Sequence, residues 1–144
     1  MGAKVRIRHL QGFKAFDPLE FLSKAGTGRR IVTVLEVSGR ITLGEGGVTL
    51  RDAIQEALNT GTKTLILNMG EVTYMDSSGV GELTGAYVSA KNRGSVLKLV
   101  NLTKKIDDLM QVTKLATIFD LYSSEQEALD SIKQEALAAS NNAA

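Results

Sequence analysis

Asp76, Ser77 and Ser78 set a carboxylate beside two hydroxyls, and Gly79 and Gly81 follow within the stretch Met75-Asp76-Ser77-Ser78-Gly79-Val80-Gly81. An apolar strand-like run, Thr64 to Met69, precedes this heptapeptide, with a short polar turn expected between them, and an amphipathic helical pattern follows. The group therefore falls at a helix start, where backbone N–H groups have no intrahelical acceptor. Such a place caps a helix or handles an anion. Capping by Asp76 or Ser77, through an N–H two or three residues on, would contribute about 1 kcal/mol. One cap uses one side chain, so at least one hydroxyl is left over.

Other chemistry fails for want of parts. The sole histidine is His9, far from the serines in a basic N-terminal stretch, so a Ser-His-Asp triad would need that stretch folded back. Cysteine is absent, which excludes disulfides, thiolate metal sites and thiol nucleophiles and fits a reducing compartment. Asp107-Asp108 and Glu125/Glu127 read as helix surface, so neither a metal nor any other cofactor is expected. Gly79, Gly81 and Gly85 come close to the dinucleotide fingerprint, but the third glycine is one position late. About 20 residues on, where the ribose-binding acid belongs, the chain reads Val100-Asn101-Leu102. Each glycine in a helix costs about 1 kcal/mol, so two in one turn point to close contact, either internal or with a partner.

The elements that must position this group alternate along the chain. Leu19 to Lys24 and Ile31 to Val37 read as strands joined by Gly26-Thr27-Gly28, and Gly39 to Gly47 as a loop. Leu50, Ala53, Ile54, Ala57 and Leu58 recur at helical spacing, with Thr49 as the expected N-cap and Gly61 as the stop. Val80, Leu83, Tyr87 and Ala90 line the helix after the heptapeptide, which should stop at Gly94. A strand at Val96 to Leu102, a helix capped by Thr103, a strand at Ile118 to Tyr122 and a helix opened by the capping box Ser124 to Glu127 complete the pattern. Apolar strands between amphipathic helices predict one α/β domain with a mixed central sheet. In such sheets, sites form where strand ends meet helix starts, as the heptapeptide does.

The expected organisation is a basic arm or extra edge strand at 1–16, a single domain at 17–137, and a tail that frays at 138–144. In the first segment Lys4, Arg6, Arg8, His9 and Lys14 alternate with Val5, Ile7 and Leu10. A solvated edge strand accounts for that pattern, while a nucleic-acid or lipid arm lacks the interleaved aromatics that stack on bases. The whole chain of 144 residues carries a net charge of +1, with 43% hydrophobic and 23% charged residues, an ordinary globular balance without a field for polyanions. With no apolar run of membrane-spanning length and no signal-peptide core, a soluble cytoplasmic protein is expected.

Tyr74-Met75-Asp76-Ser77-Ser78-Gly79-Val80-Gly81 resembles the phosphorylation-site motif of the anti-sigma factor antagonists, the single-domain members of the STAS family. The likeness extends through Ser38-Gly39-Arg40, Thr64 to Met69, Leu99 to Leu102 and Leu115 to Phe119, and covers roughly Leu19 to Ile132. It implies a non-catalytic STAS-like domain with about four helices packed mainly on one side of its sheet. The implied partners are an anti-sigma factor with serine kinase activity and a metal-dependent serine phosphatase. Ser77 is the implied phosphorylation site, Ser78 its fallback, and Asp76, Ser77, Ser78, Gly79, Val80, Gly81 and Glu82 the implied partner-binding set. One departure stands out: many members carry an acid soon after the second strand's glycine, whereas here Gly39 is followed by Arg40 and the nearest acid is Glu45. A STAS scaffold or transporter-accessory subunit whose serines are never modified, or a nucleotide binder, are the alternatives.

Overall fold

The computed structural model describes residues 4–9, 32–42 and 45–142. These form one mixed sheet with the strand order β1-β2-β3-β4-β5. Strand β1 (Lys4–His9) lies at one edge, antiparallel to β2 (Val32–Ile41). Strands β3 (Thr64–Met75), β4 (Val96–Val100) and β5 (Asp120–Tyr122) continue the sheet in parallel. Helices α1 (Glu45–Asn59), α2 (Ser77–Asn92), α3 (Lys104–Val112) and α4 (Glu125–Asn142) fill the connections and the C-terminal end. The strand expected at Leu19 to Lys24 and its Gly26 turn lie outside the described residues.

Side-chain alternation assigns the two faces. Leu35, Val37, Leu65, Leu67, Leu97 and Leu99 point to one face, where they bury Leu50 and Ile54 of α1, Leu83 and Ala86 of α2, and Ile106 and Met110 of α3. Val32, Val34, Ile66 and Val100 point to the other face, against Ala128 and Ile132 of α4. Among the described residues, three helices thus share one face and one covers the other.

Lys98, in the middle of β4, is fully buried beneath α4. Its Nζ donates to Glu135 at 3.0 Å, to the Tyr122 hydroxyl at 3.3 Å and to Asp120 at 3.4 Å. Burial pulls the Lys98 pKa down, but the hydrogen bonds and charges of Glu135 and Tyr122 outweigh it and hold the ammonium above its ordinary value.

Several element boundaries differ from the sequence expectation. The first turn of α1 starts at Glu45, so Thr49 lies inside the helix and cannot be its N-cap. Packing of Leu50, Ile54, Ala57 and Leu58 carries the poor helix formers Gly46 and Gly47 into that turn. Strand β3 runs to Met75 rather than stopping at Met69, which replaces the expected polar turn. Two register shifts against β2 make this possible, one of them beside Gly39, whose φ of 92° suits glycine alone. Each shift adds a residue to β3, so Met69, Val72 and Met75 all face the core despite their spacing of three. Strand β4 ends at Val100 because Asn101 turns the chain with φ 60°. A 3-10 turn at Leu115–Thr117 shortens β5 to three residues. Helix α4 continues to Asn142, through residues expected to fray.

Candidate functional site

The extended β3 delivers Asp76 directly from a strand end to a helix start. The Asp76 N–H donates to the Ile41 carbonyl at 3.3 Å, which continues the strand pairing one step past Met75. Asp76 itself is extended, with φ −102° and ψ −171°. Its Oδ1 accepts from the Gly79 N–H at 3.1 Å and its carbonyl accepts from the Val80 N–H at 3.1 Å. Asp76 is therefore the N-cap of α2, and neither serine is needed for capping. Among the described residues, the Ser77 and Ser78 hydroxyls make no hydrogen bond. Ser77 is exposed and Ser78 half-buried.

The two glycines of the first turns have opposite surroundings. A Cβ on Gly79 would stand 2.4 Å from Met75 Cγ and 2.6 Å from the Ile41 carbonyl oxygen. Gly79 is buried and lets α2 close onto the ends of β2 and β3. A Cβ on Gly81 would meet nothing within 4 Å, and the same holds for Gly85. The close-contact reading thus applies to Gly79, and no internal packing explains Gly81.

Val80 packs against the core on its half-buried side. Glu82 forms a two-point ion pair with Arg51 of α1, with Nε to Oε2 at 2.9 Å and a second bond from Nη2 to Oε1. The hydrogen bond from Arg51 holds the Glu82 carboxyl below its usual range, partial burial opposes this, and the Arg51 charge adds to the lowering. Glu82 therefore joins α2 to α1, and its carboxylate is already occupied.

Two residues outside the sequence-predicted set complete this end of the sheet. Arg40 and Tyr74 are register partners on β2 and β3, and the Arg40 guanidinium lies 4.8 Å from the centre of the Tyr74 ring. Both are exposed. Arg40 drew notice in the sequence as the end of the Ser38-Gly39-Arg40 stretch and as a base where many members carry an acid, not as a site residue. Arg51 gave no signal, since its partner lies 31 residues away. A recess of about 230 Å³, lined by residues including Tyr87, Lys91 and Ile118, belongs to the opposite end of α2. Among the described residues, no group of three or more His, Cys, Asp or Glu is placed to hold a metal ion, and no helix is long and apolar enough to cross a membrane.

Fold and site together define an α/β domain with a mixed sheet that presents a free serine at an Asp-capped helix start. The family model described as STAS domain matches residues 25–128, and the chain belongs to the STAS domain family. An anti-sigma-B factor antagonist of Listeria monocytogenes is 36% identical over 63 residues, which are 44% of this chain and 55% of that protein. The chain thus spans about half the length of the curated relatives it matches. An anti-sigma factor antagonist from Mycobacterium paratuberculosis has a similar fold, with a TM-score of 0.68 at 18% identity over 92% of this chain and 95% of that one. The Bacillus cell fate determinant SpoIIAA, solved in its phosphorylated form, gives a TM-score of 0.57 at 25% identity over 72% of this chain and 93% of its own.

Proposed function

We propose that the chain is a phosphorylation-switched interaction module of the anti-sigma factor antagonist kind. Unmodified, it binds an anti-sigma factor that is also a serine kinase, and so frees a sigma factor for transcription. Phosphate on Ser77 ends that binding, and a metal-dependent phosphatase restores it. The named relatives support the role, and the phosphorylated SpoIIAA structure supports the modification.

The observation that carries the reading is the division of labour at the helix start. Asp76 does the capping, so the exposed Ser77 hydroxyl is free to accept a phosphoryl group. As the Ser77 Oγ–phosphorus bond forms, the bond to the ADP leaving group breaks and the hydroxyl proton passes to the kinase. Ser77 is favoured over Ser78 because Ser77 is exposed, with the open Gly81 one turn along its face, whereas Ser78 is half-buried.

Phosphate adds about −1.5 to −2 charges. A helix N-terminus accommodates negative charge, and the first turn of α2 contains no acidic residue, so the fold survives the modification. A partner surface fitted to a neutral hydroxyl then meets a bulky dianion. A penalty of about 3 kcal/mol there lowers affinity more than a hundredfold.

The test pairs the chain with the serine kinase of its own cells and ATP, then maps the product. Phosphate is expected on Ser77, and Ser77→Asp is expected to bind at least a hundredfold more weakly with an unchanged Tm. Phosphate on neither serine, or full binding by Ser77→Asp, overturns the reading.

A further inference from the structure

Rim geometry next to Ser77 restricts the chemistry of whatever docks there; this inference rests on the proposed role of Ser77 as a site that a protein partner covers. Arg40 and Tyr74 are stacked and exposed at the ends of β2 and β3. Among the described residues, neither the guanidinium nor the phenol makes a hydrogen bond or ion pair, so the stack holds a charged fork whose donors are all unused. Tyr74 is 38% exposed and is the one aromatic among the large exposed hydrophobic residues described. Arg and Tyr are also the residue types that most often anchor protein interfaces.

Distance ties the pair to Ser77. Tyr74 precedes Ser77 by three residues, so their Cα atoms are at most about 11 Å apart. A stable interface covers about 800 Å² on each partner, a patch of about 16 Å radius. Ile41 and Met75 face the core beneath α2, so Arg40 and Tyr74 emerge on the other side of the strand ends, and a partner that seats on Ser77 and across those ends meets the stack at its rim. A guanidinium covered without a counter-charge is heavily penalised, and a carboxylate meeting it through two parallel hydrogen bonds removes the penalty.

We propose that Arg40, held against Tyr74, is the electrostatic anchor of the docking surface beside Ser77, and that the partner meets it with an aspartate or glutamate. The partner surface is accordingly acidic where it faces the β2 and β3 ends. This also sharpens the switch. Phosphate on Ser77 adds a dianion to an interface that already holds the partner's carboxylate, so like-charge repulsion adds to the loss of fit.

The experiment purifies the protein that the unmodified chain retains from an extract of its own cells, identifies it by mass spectrometry, and titrates it by calorimetry. Wild type is compared with Arg40→Glu, Arg40→Lys and Ser77→Asp, each first checked for an unchanged Tm. Arg40→Glu is expected to lose about a hundredfold or more in affinity, as truncated charge pairs in interfaces do. Arg40→Lys is expected to lose about tenfold, because lysine keeps the charge but loses the planar fork. Replacing the facing partner carboxylate by arginine should restore binding to Arg40→Glu. If Arg40→Glu binds within threefold of wild type while Ser77→Asp is weakened, the acidic-partner inference fails and the switch stands. If Ser77→Asp binds normally while Arg40→Glu is weakened and rescued by charge reversal, the surface stands and the switch fails. An extract from which the chain retains nothing overturns both.

Discussion

Substituting alanine at Gly79 and, separately, at Gly81 should change stability in opposite directions, although the two positions share the start of one helix. At Gly79 the added methyl would lie 2.4 Å from Met75 Cγ, 2.6 Å from the Ile41 carbonyl oxygen and 3.0 Å from Ile41 Cγ2. The carbonyl cannot step aside freely, because it also accepts the Asp76 N–H at 3.3 Å. Overpacking costs about 1–3 kcal/mol, and a backbone clash puts this site at the upper end. The helix-propensity gain of alanine over glycine returns about 1 kcal/mol. A net loss of about 2 kcal/mol follows, which lowers Tm by about 4–8 °C for a domain of this size.

At Gly81 the methyl meets nothing within 4 Å, so only the propensity gain applies. Gly81→Ala should raise Tm by about 2–4 °C. Thermal and urea unfolding followed by circular dichroism measure both. Equal stabilities for the two variants, or a Gly81→Ala protein as unstable as Gly79→Ala, would refute the assignment of Gly79 to internal packing and Gly81 to the free surface.

Two pH dependences follow from the ion pairs. The Glu82 pKa is lowered by its hydrogen bond to Arg51, so its contribution is present above the ordinary glutamate value of about 4.3 and is lost as pH falls through the lower folded value. Urea midpoints from pH 7 to pH 3 should show Glu82→Gln losing less stability on acidification than wild type. The Lys98 pKa is raised, so its contribution is present below the ordinary lysine value of about 10.4 and is lost as pH climbs through the folded value. Lys98→Met should remove that alkaline loss. At neutral pH the methionine variant should stay within about 1.5 kcal/mol of wild type, because Asp120 and Glu135 are 52% and 49% exposed and rehydrate once the ammonium is gone. Lys98→Ala, which leaves a cavity as well, should cost about 2–4 kcal/mol.

Legibility in the sequence tracked the range of the contacts involved. The caps at Thr103 and Ser124 were readable because each bonds an N–H three residues on, at Ile106 and Glu127. The helix faces of Leu50 to Leu58 and Val80 to Ala90 were readable because burial repeats at helical spacing. The end of β3 was not, since Gly70, Glu71 and Thr73 look like a turn until two register shifts against β2 hold them in the sheet. Lys98 was equally opaque. A lysine inside the run Val96 to Val100 reads as a solvent-facing interruption, and only α4, more than 20 residues on, supplies the Glu135 that lets it be buried.

By itself the sequence determined the alternation of strands and helices and the absence of histidine and cysteine chemistry around the serines. It also determined that Asp76, Ser77 and Ser78 stand at a helix start, since apolar periodicity and helix-start preferences are local properties of the chain. Only the tertiary structure decided what each residue there is free to do. Sheet register brings the Ile41 carbonyl against Gly79 and stacks Arg40 on Tyr74, and the packing of α1 on α2 commits Glu82 to Arg51. Those contacts join residues more than 30 positions apart, and no spacing along the chain encodes them. Around Ser77 they leave, among the described residues, an exposed hydroxyl without a hydrogen bond, an open glycine and an exposed arginine stacked on tyrosine.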